Sequence, residues 1–326
     1  MARTWKLIVL AIAIVGLCLA DWALPRASLA ECAGVTGRSC IRMAGENVFL
    51  GNTVQGVSIF NTEDPANPQE IGCVTTTGCI LDMDFHEGYA YIVDDQEGLL
   101  ILDVRNPERC VSLGNYQNYG GEIRSFTVHG HYALATVEDQ GLKIFNISNP
   151  TEIEEVASLE QPSRIQGLRI VGEYAYLANL NGGLHVLDLR NPADPRQIAF
   201  VDIPGRPRTM GVAEHHVYIT TSERKMFIFD TSEPVAPRMT ASIAIGNSPV
   251  AVFTGAWVVV ADLQSGLVVK DVRNPDHIVE IGRMHLDGIA LGICIRDNHA
   301  YLSMAETNDI MVVDLRMLTK EKKAEK

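Results

Sequence analysis

A ten-residue pattern recurs seven times along the chain at nearly constant spacing. In each copy an anchor residue is followed by alternating apolar residues, then by an aspartate or asparagine and, in most copies, by a proline four residues later, as in GLLILDVRNP. The copies begin at Gly56, Gly98, Gly141, Gly183, Lys225, Gly266 and Asp309. Successive anchors lie 42, 43, 42, 42, 41 and 43 residues apart. This period is that of a four-stranded propeller blade.

The residues inside each repeat favour strands over helices. Nine residues before most anchors an apolar, aromatic and β-branched run begins, such as YAYIV at Tyr89. Polar turn residues separate it from the anchor run, and shorter apolar stretches precede this hairpin and follow each proline. Without any amphipathic helical pattern, the sequence predicts an all-β fold, a seven-bladed β-propeller of four-stranded antiparallel blades over residues 31–318.

Two positions of the pattern have a predicted structural role. The anchor glycine is expected in a tight turn that requires positive φ. The aspartate, as at Asp103, is expected to accept hydrogen bonds from backbone N–H groups of the next turn. Asn61 and Asn146 replace it in two repeats. A turn acceptor tolerates that exchange, whereas a metal ligand or proton-transfer group does not.

The YxYxxD-like strand followed by G-L-x-I-x-D-x-x-x-P resembles the LVIVD-repeat family of exported propeller proteins. The resemblance covers residues from about 38 to 316. It implies the propeller fold and a surface or periplasmic setting, but it supplies no catalytic residues. The seventh repeat departs from the motif, with Asp309 in place of glycine and Leu318 in place of proline.

The N-terminus predicts export. Arg3 and Lys6 precede an apolar run, and Ser28-Leu29-Ala30 is a small-residue cleavage site, so residues 1–30 resemble a secretory signal peptide. An uncleaved anchor is the rival interpretation, but the run is shorter than the roughly 20 residues that a spanning helix needs. We expect a periplasmic or extracellular monomer with no membrane span after cleavage and a charged tail at 319–326.

The acidic charge of the chain argues against polyanionic partners. The formal charge of −13 becomes −15 when three basic residues and one acidic residue leave with the signal peptide. Such a surface repels nucleic acid and anionic lipid.

Six cysteines remain after residue 30, and an even number in an exported chain favours disulfide bonds. Cys40 and Cys294 occupy nearly corresponding innermost-strand positions in the first and last repeats. They are expected to approach one another where the ring closes, at a distance that could allow a bond. No pairing is preferred for Cys32, Cys73, Cys79 and Cys110. The CxxCH motif of covalent haem attachment is absent.

Four arginines at similar repeat positions form a candidate ligand-binding patch at the channel mouth: Arg124, Arg164, Arg206 and Arg208. Guanidinium groups suit carboxylates and phosphates, so an unknown protein or a small anionic ligand is the expected partner. The alternative is structural pairing of each arginine with a nearby acid such as Glu122.

Asp82, Asp84 and His86 alternate along one predicted strand and therefore share a face. They are the candidate ligands for a divalent metal in the channel. The alternative is that they are ordinary polar groups of the blade face. His215-His216 and His129-Gly130-His131 are interpreted as turn histidines.

The sequence favours a non-catalytic exported scaffold that binds a partner through its channel mouth and rim loops, without a cofactor. The alternative is a propeller-fold hydrolase or lyase with a channel-bound metal, and fold alone does not decide between them. The charged tail cannot form a packed outer strand, so the segment ECAGVTG at 31–37 is predicted to pair with the strand at 310–315, and a three-stranded last blade is the alternative.

Overall fold

The seven repeats fold into seven antiparallel sheets, each built from strands that are consecutive in sequence. The computed structural model describes residues 40–52, 56–117, 121–213, 215–245, 250–254, 257–262, 266–274, 277–305 and 309–320. Six sheets have four strands and the last has three. The innermost strands contact one another in order, and the last contacts the first. The predicted seven-bladed β-propeller is therefore confirmed.

The strands match the repeat. The innermost strands are β1 (Cys40–Ala44), β5 (Ile80–His86), β9 (Ile123–His129), β13 (Ile165–Val171), β17 (Pro207–Ala213), β21 (Val250–Thr254) and β25 (Ala290–Arg296). The second strands are β2 (Asn47–Asn52), β6 (Tyr89–Asp94), β10 (Tyr132–Val137), β14 (Tyr174–Asn179), β18 (His216–Thr221), β22 (Trp257–Asp262) and β26 (His299–Met304).

The third strand begins at the anchor residue in six blades. The third strands are β3 (Gly56–Asn61), β7 (Gly98–Asp103), β11 (Gly141–Asn146), β15 (Gly183–Asp188), β19 (Lys225–Asp230), β23 (Gly266–Asp271) and β27 (Ile310–Asp314). The outermost strands are β4 (Gln69–Val74), β8 (Val111–Tyr116), β12 (Glu154–Leu159), β16 (Arg196–Asp202), β20 (Arg238–Ala244) and β24 (Val279–Met284).

The core lies between the blades, because the second and third strands are buried on both faces. The second aromatic residue of the YxY motif shows this best: Tyr91, Tyr176 and Tyr301 are at most 1% exposed. In the outermost strands β4 and β12 every residue is exposed or half-buried, so these strands form part of the outer surface of the ring. A single blade would leave its apolar faces in water, and the ring therefore folds as one unit.

The predicted turn acceptor is present in all seven blades. The side chain of the aspartate or asparagine that ends each third strand accepts a hydrogen bond from the backbone N–H two residues later, at 2.9–3.1 Å. The anchor glycine has positive φ at Gly56, Gly98, Gly141 and Gly266. In blade 4, however, the left-handed residue is Gly182 and not the anchor Gly183, so the prediction for that glycine is wrong.

The seam between blades 7 and 1 has its own apolar cluster and a half-buried arginine. Ile41, Leu50, Tyr301 and Ile310 belong to one core cluster that crosses the seam. Arg296, at the end of β25, donates hydrogen bonds to two backbone carbonyls of blade 1, those of Gly45 at 2.9 Å and Thr62 at 2.6 Å. The seam thus resembles the other blade interfaces in its packing and adds a cation that bonds across it.

The end of the chain covers the neighbouring blade. A short helix, α1 (Leu315–Lys320), follows β27 directly, where the sequence predicted strand up to Leu315. Leu318 packs on Gly282 of β24 so closely that a Cβ at Gly282 would overlap the Leu318 backbone. The segment at 31–37, which was predicted to complete the last blade, lies outside the described residues. So do the signal peptide at 1–30 and residues 321–326 of the tail.

Cys40 and Cys294 lie on the adjacent strands β1 and β25 but are free cysteines, so the predicted bond between them is wrong. The side chains face different blade interfaces. Cys40 belongs to the core cluster between blades 1 and 2, with its Sγ 3.9 Å from the Asp82 carboxylate, whereas Cys294 packs against the cluster at the seam. Burial raises the pKa of each thiol to about 12, so both are protonated at neutral pH.

Candidate functional site

The antiparallel order of strands gives the ring two rims. The upper rim carries the turns between second and third strands and the connections from one blade to the next. The lower rim carries the turns between first and second strands and between third and fourth strands. All four arginines of the predicted patch lie on the upper rim, at or just before an innermost strand.

Arg124 forms ion pairs with two acids of its own blade. Its guanidinium lies 3.3 Å from the Glu122 carboxylate and 2.7 Å from that of Glu138, and its side chain is 30% exposed. The first partner is the acid that the sequence suggested as the structural alternative. Both charged bonds must be broken before Arg124 can bind a ligand.

Arg164 and Arg206, on blades 4 and 5, are different. Both are exposed, and neither guanidinium has an ion-pair partner in the part of the chain that the structure describes. Arg164 has φ of +55°, a left-handed conformation in the connection before β13. Arg208 is also exposed and is the second residue of β17. The predicted patch therefore has three exposed members on two adjacent blades.

Sequence reasoning missed a further arginine on this rim. Arg224 lies in the turn between β18 and β19 of blade 5, is exposed and has φ of +60°. It was missed because the search covered only the connections between blades, whereas the upper rim also includes the turns between second and third strands. The string SERK at 222–225 was the available signal. We call Arg164, Arg206, Arg208 and Arg224 the upper-rim arginines.

Glu223 holds the loop that carries Arg206. Its carboxylate accepts a hydrogen bond from the Arg206 backbone N–H at 3.1 Å and one from the Ser222 hydroxyl at 3.1 Å. The Arg206 N–H is the main reason that the pKa of Glu223 lies below its usual value. A Cβ at Gly205 would overlap the same carboxylate. The backbone of this loop is therefore fixed, while the Arg206 side chain extends into solvent.

The two acids of the predicted metal set link neighbouring blades. Asp82 forms an ion pair with Arg42 of blade 1 at 2.6 Å and accepts the backbone N–H of Phe126 of blade 3 at 3.1 Å. The negative charge of Asp82 raises the pKa of Arg42 above its usual value. Asp84 accepts the backbone N–H of Val128 at 2.7 Å, also on blade 3.

His86, the third member, lies at the lower end of β5. Its Nε2 atom is buried and has no hydrogen-bond partner among the residues that the structure describes. The ring of His131, from the corresponding turn of blade 3, lies 5.7 Å away and nearly perpendicular to it. The structure thus groups His86 with other lower-rim residues and not with the carboxylates of Asp82 and Asp84.

The repeats can now be compared with known proteins. The LVIVD repeat matches residues 81–118, 120–160, 164–202 and 248–285, which form blades 2, 3, 4 and 6. The chain is an LVIVD-repeat protein. No curated protein sequence matches this LVIVD-repeat protein. No helix among its described residues has the length and hydrophobicity needed to cross a membrane.

Solved structures confirm the architecture of this LVIVD-repeat protein. U3-55K is 11% identical with a TM-score of 0.67, over 82% of this chain and 88% of that one. The β-propeller domain of Cps50 (Swd1) from Myceliophteria thermophila is 14% identical with a TM-score of 0.64, over 85% and 96%. A functionally unknown protein from Desulfotomaculum acetoxidans is 13% identical with a TM-score of 0.62, over 77% and 86%. At such identities the similarity shows the fold alone.

Proposed function

We propose that this LVIVD-repeat protein is a non-catalytic interaction scaffold that binds a carboxylate- or phosphate-bearing partner through its upper-rim arginines. The clustering of exposed arginines on two adjacent blades carries the proposal. On the lower rim, four exposed arginines each pair with the aspartate two residues earlier, namely Arg105, Arg190, Arg273 and Arg316. On the upper rim, Arg164 and Arg206 are exposed without an ion pair inside the described chain.

Arg109 and Arg238 on the lower rim are also exposed without an ion pair among the described residues, but they belong to the non-adjacent blades 2 and 5, whereas the upper-rim arginines share two adjacent blades. The chain has 40 acidic residues and 27 basic ones, so an exposed arginine has many carboxylates to pair with. Guanidinium groups bind carboxylate and phosphate through parallel hydrogen bonds, and two adjacent blades offer several of them on one surface. The surrounding negative charge opposes non-specific binding of polyanions, which favours a partner that fits the geometry of this patch.

The non-catalytic part of the proposal rests on blade 2. A hydrolase or lyase with a channel metal would need carboxylates that are free to bind the ion. Asp82 and Asp84 instead accept hydrogen bonds from blade 3, and Asp82 also neutralises Arg42. Recruiting either acid would remove contacts between blades.

Export is also part of the proposal. It is supported by the charged start, apolar run and small-residue cleavage site in residues 1–30. Mass spectrometry of the chain from fractionated cells tests it. A mature chain that begins at Glu31 in the exported fraction supports cleavage, and a full-length chain in the cytosolic fraction contradicts export.

The binding proposal is tested by capture with matched variants. The immobilised parent, the upper-rim variant Arg164→Ser/Arg206→Ser and the lower-rim variant Arg190→Ser/Arg273→Ser are each exposed to the exported fraction of the source cells. Each variant loses two positive charges, so a difference between them reports position and not net charge. Partners retained by the parent and the lower-rim variant but lost by the upper-rim variant support the proposal. Equal recovery by all three chains contradicts it.

A further inference from the structure

Three metal-ligating side chains converge on the lower rim between blades 2 and 3. They are His86 at the end of β5, Glu87 in the turn that follows, and His131 in the corresponding turn of blade 3. One ligand atom of each lies within 4.8 Å of the other two. We propose that His86, Glu87 and His131 form a binding site for a divalent transition-metal ion, with Zn²⁺ as the preferred occupant.

The buried nitrogen of His86 supports this site. His86 Nε2 is buried without a hydrogen-bond partner in the described structure and lies 3.9 Å from Glu87 Oε2, which is beyond hydrogen-bond length. A buried polar atom without a partner is unfavourable and needs an explanation. A metal ion between the imidazole and the carboxylate would satisfy both groups.

The donor set and its spacing suit Zn²⁺. Two imidazoles and one carboxylate are a common three-ligand zinc set that leaves a further position open. Bonds of about 2.0–2.1 Å in a tetrahedral site place ligand atoms roughly 3.3–3.5 Å apart. The present separations must therefore shorten by about 1 Å. Side-chain rotation can supply this, because Glu87 is 66% exposed and His131 is also exposed.

The turn between β5 and β6 places the Glu87 carboxylate next to the two histidines. Glu87 has φ of +48°, at the turn position that glycine occupies in three other blades as Gly45, Gly130 and Gly172. A left-handed glutamate is less favourable than glycine, and such conformations concentrate at functional sites. Blade 7 has a left-handed carboxylate, Asp297, at the same turn position, so the turn alone accepts an acid; Glu87 differs from it in having His86 and His131 within reach.

An open groove lies beside the site. Its volume is about 390 Å³, and His86 and Glu87 line it together with Phe49, Phe85 and Val104. The groove lies between blades 1 and 2, so it adjoins the cluster on the side of His86 and Glu87. This inference does not depend on the upper-rim arginines, which lie on the opposite face of the ring.

The test uses the full chain, freed of any purification tag and treated with a chelator. Isothermal titration with Zn²⁺ measures stoichiometry and affinity, and the visible spectrum with Co²⁺ reports nitrogen and oxygen ligation against thiolate ligation. The variants are His131→Gln and Glu87→Gly. The matched control is His215→Gln, because His215 is the corresponding turn residue of blade 5 and lies outside the cluster.

We expect one Zn²⁺ per chain, a loss of affinity of about tenfold or more in His131→Gln and Glu87→Gly, and no change in His215→Gln. Glu87→Gly separates ligation from folding. In chelator it should unfold at or above the temperature of the parent, because glycine suits the left-handed turn, yet it should bind Zn²⁺ more weakly. The proposal is overturned if the parent binds no Zn²⁺, if all variants bind equally, or if the Co²⁺ spectrum shows thiolate ligands.

Discussion

One side chain closes the turn at the end of each third strand. It is an aspartate in five blades and Asn61 or Asn146 in the other two, and in all seven it accepts the backbone N–H two residues later. In four blades an arginine at that later position also binds the aspartate through its guanidinium. Each of these turns therefore combines a backbone hydrogen bond with an exposed ion pair.

These pairs predict a loss of stability in acid. Hydrogen bonds from Arg105, Arg190 and Arg316 lower the pKa of Asp103, Asp188 and Asp314 to about 2, against about 3.9 in an unfolded chain. The contribution of these carboxylates to the free energy of unfolding is therefore complete above about pH 4 and is lost as the pH falls towards 2. The triple Asp→Asn variant should show a smaller fall in unfolding temperature over that interval than the parent.

The control for this acid effect removes three exposed acids from other positions, as Glu63→Gln, Glu108→Gln and Glu233→Gln. It makes the same change in net charge and should keep the parental pH dependence. If the triple Asp→Asn variant and the parent lose stability in parallel below about pH 4, the pairs contribute nothing to folding and the argument is wrong.

At the scale of elements, strand β5 shows what alternation can and cannot reveal. The sequence placed Asp82, Asp84 and His86 on one face of a strand, but the neighbouring strands determine what each side chain contacts. Asp82 and Asp84 contact backbone groups of β9, about 44 residues away in sequence. The proximity of His86 to His131 likewise arises from blade packing. Periodicity within one repeat contains no information about such contacts between repeats.

Asp82→Ala should destabilise the ring by about 2 kcal/mol, because it leaves Arg42 without its carboxylate and the Phe126 N–H without an acceptor. Urea unfolding of the single variants, and of Asp82→Ala combined with Arg42→Met, measures the coupling. The combined variant should lose less than the sum of the single losses. Additive losses would show that the Asp82–Arg42 pair is not an interacting unit.

At the scale of the whole molecule, the repeat period, the number of repeats and the strand pattern inside them together predicted seven blades, because only a closed ring buries both faces of every sheet. The contacts that close the ring could not be predicted in the same way. Residues at the seam lie more than 200 positions apart, and which side chains meet there depends on packing: Cys294 packs at the seam, whereas Cys40 faces blade 2. Arg296 joins β25 to the carbonyls of Gly45 and Thr62, a role that no sequence motif indicated.

Arg296→Ala should therefore weaken the contact between blades 7 and 1. Loss of the charged hydrogen bonds to the carbonyls of the buried Thr62 and the exposed Gly45 is expected to cost about 1–2 kcal/mol and to lower the unfolding temperature. The control is Arg196→Ala, which removes a surface pair with Asp194 and should leave stability unchanged. Equal effects of the two substitutions would mean that apolar packing alone holds blades 7 and 1 together.

The central claim is that the upper-rim arginines bind an anionic partner, and the most direct measurement is a binding titration with a labelled glutamate-rich peptide. Fluorescence anisotropy is recorded for the parent, Arg164→Ser/Arg206→Ser and Arg190→Ser/Arg273→Ser at equal ionic strength. The account expects the parent and the lower-rim variant to bind alike and the upper-rim variant to bind about tenfold or more weakly, because each lost guanidinium removes charge-assisted hydrogen bonds. Equal affinity of all three chains, or no binding by the parent, would contradict it.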